Sequence, residues 1–231
     1  MESLDSAMNS ATAFDDCLRR LQERSLQMAN LIEDMIEEAC EAVFNLDSAA
    51  AEQVIRRDRG IDAEEVAIEA EVIRLLAEYH PVGCDLRLLC TILKVNSDLE
   101  RVADCAVNIA ERASHLDRRE LSGLREVHEM LSPVVKRMVH HAVQSYVTQD
   151  ANAASAVFAQ EHAADAFYSH IVKTIVAEDS VSPDTLAAYL DLLSVAKNLE
   201  RIADHATNIA ENVIFLSSGR IVRHQMRSAA E

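Results

Sequence analysis

The chain has 231 residues and is 49% hydrophobic but only 4% aromatic, with no Trp, 4 Gly and 3 Pro. Turn residues this scarce exclude a sandwich, barrel or propeller, which need a turn every ~8–12 residues, and the scattered glycines exclude a P-loop or dinucleotide cradle. A formal net charge of −17, from 22 basic and 39 acidic residues, argues against nucleic acid or an anionic membrane as partner and favours the attraction of cations.

Apolar periodicity predicts six helices. The first runs from about Phe14 to Phe44, with Leu18, Leu21, Leu31, Met35 and Ile36 at helical spacing. Asn45-Leu46-Asp47-Ser48 breaks it, and Asp47 or Ser48 can cap the second helix, which runs to about Tyr79. His80-Pro81-Val82-Gly83 is a turn. The third helix runs from about Asp85 to His115 and carries Leu86, Leu89, Ile92, Leu93, Leu99, Val102 and Ile109.

Leu121-Ser122-Gly123 marks the middle of the chain, and the plan then repeats. The fourth helix spans about Leu124 to Val147, with Pro133 placed early to kink or start it. Thr148-Gln149-Asp150 is a break, and the fifth helix continues to about Ala177. Ser180-Val181-Ser182-Pro183-Asp184 is a turn with Ser182 or Asp184 as cap. The sixth helix runs to about Leu216 and closes at Gly219. The short tail beyond is expected to fray.

Two segments establish an internal duplication. Residues 98–111 read DLERVADCAVNIAE and residues 198–211 read NLERIADHATNIAE, with 10 of 14 positions identical at an offset of 100. The expected fold is all-α, a tandem pseudo-repeat of two antiparallel three-helix bundles joined end to end, covering residues 1–118 and 119–231. Cys17, Cys40, Cys84, Cys90 and Cys105 are odd in number and lack C-x-x-C spacing, so they read as reduced, small hydrophobes. With no signal pattern and no run of ~18 apolar residues, a soluble cytoplasmic protein is expected.

The chemistry lies in the acidic residues. Glu100, Asp104, Asn108 and Glu111 are spaced +4, +4, +3, as are Glu200, Asp204, Asn208 and Glu211, so each set shares one helix face. The apolar stripes (Leu99, Val102, Ala106, Ile109 and their counterparts) lie on another side. The second helix offers Asp58 and Asp62, followed by Glu65 and Glu69, and the fifth offers Glu161 and Asp165. In an antiparallel hairpin, residues at one height are equidistant from the turn. Asp58/Asp104 and Asp62/Glu100 share a midpoint at Pro81, and Glu161/Asp204 and Asp165/Glu200 share one beside Pro183. Four carboxylates per repeat should therefore meet at matched heights. Like charges at i, i+4 cost roughly 0.2–0.5 kcal/mol per pair. On one helix such a stripe is an ordinary solvated face. Matched pairs in two repeats favour bound divalent cations, since carboxylates suit Mg, Mn, Fe or Zn. Arg101 and Arg201 are candidate counter-ions, but each adjoins its Glu and projects ~100° away. His205, beside Asp204, and the His140-His141 pair read as packed or surface side chains.

LERVAD at 99–104 and LERIAD at 199–204, the NIAE that follows each, HPVGCDLRLL at 80–89 and VIRRDRGID at 54–62 together resemble the PhoU family across the whole chain. Ala103 and Ala203 stand where that family commonly has Gly. The resemblance implies a cytoplasmic regulator without catalytic turnover. It implies negative control of phosphate uptake and phosphate-starvation signalling, through the ATPase of the phosphate ABC transporter and a sensor histidine kinase. It also implies metal, in some members multinuclear iron or zinc, at E/D-x-x-x-D motifs matching Glu100, Asp104, Glu200 and Asp204, with Asp58, Asp62, Glu161 and Asp165 on the partner helices. A homodimer is implied as well. Two rival readings are a metal-dependent phosphate-ester hydrolase and a metal-free acidic adaptor for a basic partner.

Overall fold

The computed structural model describes residues 2–114, 125–177 and 182–222. Six long helices account for most of them: α1 (Glu2–Asn45), α2 (Ser48–Tyr79), α3 (Gly83–Ala110), α4 (Ser132–Thr148), α5 (Ala151–Val176) and α6 (Pro183–Ser218). No strand occurs among the described residues. α1 begins at Glu2 rather than near Phe14. α3 closes in a 3-10 turn, Glu111–Ser114. The anticipated repeat boundary and the Leu121-Ser122-Gly123 break lie outside the described residues, as do Ser180, Val181 and most of the tail.

The breaks follow local chemistry. At the α1–α2 corner Leu46 adopts φ 56°, and the amide of Asp47 donates to Ala42 O at 2.8 Å. The Asp47 carboxylate then accepts from the amides of Ala49 and Ala50, both at 3.0 Å. The α4–α5 corner repeats this atom for atom. Gln149 has φ 54°, Asp150 N donates to Ser145 O at 3.0 Å, and the Asp150 carboxylate caps Asn152 at 2.8 Å and Ala153 at 3.2 Å. A left-handed residue ends one helix and an Asp starts the next. Ser182, not Asp184, caps α6. Gly219 ends it at φ 71°, with its amide on Phe215 O at 2.8 Å. Pro133 follows a π-helical turn, Val127–Leu131. A proline cannot donate to the carbonyl four residues back and clashes with it, and the wider turn ahead of it relieves that clash.

Each repeat is a bundle of three: α1, α2 and α3 pack mutually, and so do α4, α5 and α6. The two bundles then lie side by side, α3 against α6 and α1 against α4, with α2 and α5 packed within their own repeats. End-to-end arrangement is thus corrected to lateral packing. The reason is visible in α3, where Val102, Ala103, Cys105, Ala106, Ile109 and Ala110 are all buried. At 100° per residue they cover an arc of about 160°, wider than one neighbour fills. One continuous core results, with Leu99, Leu199, Ile109 and Ile209 at 0% exposure.

Candidate metal centre

α2 and α3 present the first acidic face. Asp58 and Glu100 are half-buried beside Asp104, while Asp62 is exposed at the edge. Burial pushes the Asp58 carboxyl above the ordinary range, and Asp62 and Asp104 push it further. Glu100 is raised by burial and then by Asp104, against the opposing pull of Arg101. Glu65 is raised by burial, Glu69 and Asp62. Asp58 and Glu100 are therefore each raised by a carboxylate on the facing helix, as the hairpin arithmetic requires. Arg101 does reach its neighbour, Nε lying 3.4 Å from Glu100 Oε2. That corrects the expectation that it projects away: a long guanidinium stem spans the ~100° offset. Among the described residues no Lys, Arg or His pairs with Asp58, Asp62 or Asp104.

The second face is built differently. Glu161 is buried at 5% exposure on α5, and Asp165 is exposed one turn on. Lys197 Nζ donates to Glu200 Oε2 at 2.5 Å. The same ammonium lies 5.2 Å from the centre of the Tyr168 ring. Its pKa is raised, first by the Glu200 hydrogen bond, with Asp204 and Tyr168 adding attraction. Sequence reasoning missed Lys197. Its signal was present: it lies three residues before Glu200, at the position that Ser97 occupies in the first repeat.

Other singled-out residues serve the seam between repeats. His205 Nδ1 lies 3.0 Å from Asp98 Oδ1, and Asn208 Nδ2 donates to the same oxygen at 3.2 Å. Glu211 is buried at 8% exposure, whereas Glu111 is exposed and pairs with Arg112. Depth thus depends on what covers the helix at each height, not on helical angle alone. His140 faces α1, its Nδ1 3.0 Å from Glu33 Oε2.

Carboxylate oxygens are the donor type that a hard cation takes. The geometric requirement is not met: among the described residues no three His, Cys, Asp or Glu side chains converge into one ligand set. Cavities of about 310, 420 and 200 Å³ are lined by residues of α1, α2 and α4 and include none of the eight carboxylates.

The architecture defines a class: a duplicated three-helix scaffold carrying paired acidic motifs on lateral faces. The PhoU domain model matches residues 26–113 and 128–213, and the chain belongs to the PhoU family. It is 39% identical over 209 residues to the phosphate-specific transport system accessory protein PhoU homolog of Aquifex aeolicus, covering 90% of this chain and 94% of that one. The Pseudomonas aeruginosa homolog is 35% identical over 213 residues, covering 91% and 88%. The crystal structure of PhoU from Pseudomonas aeruginosa superposes with TM-score 0.82 at 32% identity, covering 90% of this chain and all of that one. The phosphate transport system regulatory protein PhoU from Streptococcus pneumoniae gives 0.81 at 26% identity, covering 90% and 99%. No described helix is long and apolar enough to cross a membrane.

Proposed function

We propose that this protein is a cytoplasmic, non-catalytic regulator of phosphate homeostasis that represses phosphate uptake and starvation signalling when phosphate is ample. It acts by docking on the ATPase of a phosphate ABC transporter and on a sensor histidine kinase, as a homodimer. The observation that carries this reading is the match, over 90% and 91% of this chain, to relatives named as phosphate-specific transport system accessory protein PhoU homologs. Helices of ~30 residues span ~45 Å and offer extended faces for partners. A charge of −17 steers such faces toward basic patches and makes association weaken as salt rises.

Asp58, Asp62, Glu100 and Asp104, with Glu161, Asp165, Glu200 and Asp204 as the second set, are the proposed holders of Fe, Zn, Mn or Mg. Like-charged carboxylates on rigid helices support this, and bound cation would supply the neutralisation the first face lacks.

Deleting the gene should leave phosphate-responsive genes on, and uptake high, in phosphate-rich medium. A deletion strain that shuts those genes off normally would end the regulatory reading. Elemental analysis of untagged protein tests the metal directly. Hydrolysis of phosphate esters with added Mn or Mg would move the assignment to the hydrolase reading.

A further inference from the structure

We infer that the groove between α1 and α2 is the surface through which two copies of this chain pair, with Leu31 of each copy seated beside Gly60 of the other. This rests on the reading of the protein as a homodimer and names the face that forms it. The groove encloses about 420 Å³ over a buried floor of Met28, Met35 and Ile61. Leu31 stands on its α1 wall as an apolar knob, 50% exposed. Gly60 stands on the α2 wall. A glycine weakens a helix interior, yet a Cβ at Gly60 would meet no atom within 4 Å. Packing inside the chain therefore does not demand the glycine, and its missing side chain leaves a hole in the groove wall.

The charges at the rim fit the same pairing. At one end Arg24 of α1 reaches Glu64 of α2, Nε to Oε1 2.7 Å. At the other, Arg57 of α2 reaches Glu38 of α1, Nη1 to Oε2 2.9 Å. Arg24 and Glu38 each lie seven residues from Leu31, about 10 Å along the helix, and Gly60 lies between Arg57 and Glu64. Each wall thus changes sign from end to end, and the facing wall carries the reverse. A two-fold axis along the groove sets α1 of one copy over α2 of the other. Every one of these Arg residues then meets a Glu, and each knob meets a hole, which is the self-complementarity a two-fold interface needs. Two chains of net charge −17 repel through their acidic surfaces, whereas the four charges around this groove cancel.

Sedimentation equilibrium of the full-length protein reads the dimer, with circular dichroism as fold control. Gly60→Gln should weaken dimerisation by at least about tenfold, because it fills the hole. The same variant should melt no lower than wild type at dilutions where both are monomeric, since Gln is the better helix former. Leu31→Gln should weaken the dimer likewise. Arg24→Glu should weaken it, and Arg24→Glu with Glu64→Arg should restore it, because reversing both charges at one end keeps the pattern self-complementary. Ile73→Gln, at an exposed α2 position outside the groove, should leave the dimer unchanged. A wild-type dimer that survives Gly60→Gln and Leu31→Gln would overturn the inference while leaving the homodimer reading intact. A wild-type protein that stays monomeric up to about 1 mM would overturn both and turn the groove over to a partner of another sequence.

Discussion

At the scale of single residues, charge on the first face is a cost that the fold tolerates. Asp58, Glu65 and Glu100 all have raised carboxyl pKa values, with burial the leading cause and like charges adding to it. A raised acid binds its proton more tightly when folded. The penalty is therefore absent below the unfolded pKa and grows as pH rises through the folded one. In chelator at pH 7, Asp104→Asn should raise stability by about 0.5 kcal/mol, one or two like-charge pairs being relieved, and the melting temperature by roughly 1–2 °C. The gain should vanish when melts are repeated at a pH below the carboxyl range. A loss of stability at neutral pH would show Asp104 to be structural. Leu99, at 0% exposure beside these carboxylates in sequence, has the opposite profile. Leu99→Ala should cost about 2–5 kcal/mol in urea titrations at any pH, because it opens a cavity rather than relieving a charge. Both assignments were legible in the repeat motif, since a +4 spacing fixes which face a residue takes. Lys197 was not, because a single lysine on a charged helix has no periodic signature; only the short contact to Glu200 gives it meaning.

At the scale of elements, the helix corners are where duplication is most exact in atomic terms. Leu46 and Gln149 take the same left-handed conformation, and Asp47 and Asp150 make the same pair of amide contacts. Asp47→Ala and Asp150→Ala should each cost about 1 kcal/mol. The effects should add in the double variant, as independent sites do, when thermal melts of the three proteins are compared. A strongly non-additive result would mean the corners communicate. Capping is local chemistry, so the Asp47 break was readable from four residues. The π-helical turn before Pro133 was not, although Pro133 itself announced an irregularity. How a chain relieves a proline depends on what packs against the strained turn, and Val127 and Leu131 are both buried there. The early start of α1 escaped notice for a related reason: residues 2–13 have few large apolar side chains to set a helical period.

At the scale of the whole molecule, the two repeats share one core. α3 and α6 run side by side, and Asp98 on α3 binds His205 and Asn208 on α6. Arg112 beyond α3 reaches Asp191 of α6 at 3.3 Å. Calorimetry should therefore show a single unfolding transition, with calorimetric and van't Hoff enthalpies equal. Two separable transitions would mean that the seam contributes little and that each bundle stands alone.

What the sequence determined by itself was the helix count, the duplication, the Asp47 and Asp150 corners and the acidic spacing along each helix. Each of these depends on a period or spacing along a single helix or hairpin, and the geometry of one helix is nearly independent of its surroundings. Tertiary structure alone decided that the bundles lie side by side, that His205 and Asn208 serve the seam, that Glu211 is buried while Glu111 is exposed, and that Lys197 rests on Glu200 against Tyr168. These depend on which helix covers which arc at a given height. Near-identical motifs cannot encode that difference, because a side chain's depth and partner are properties of the neighbour packed against it.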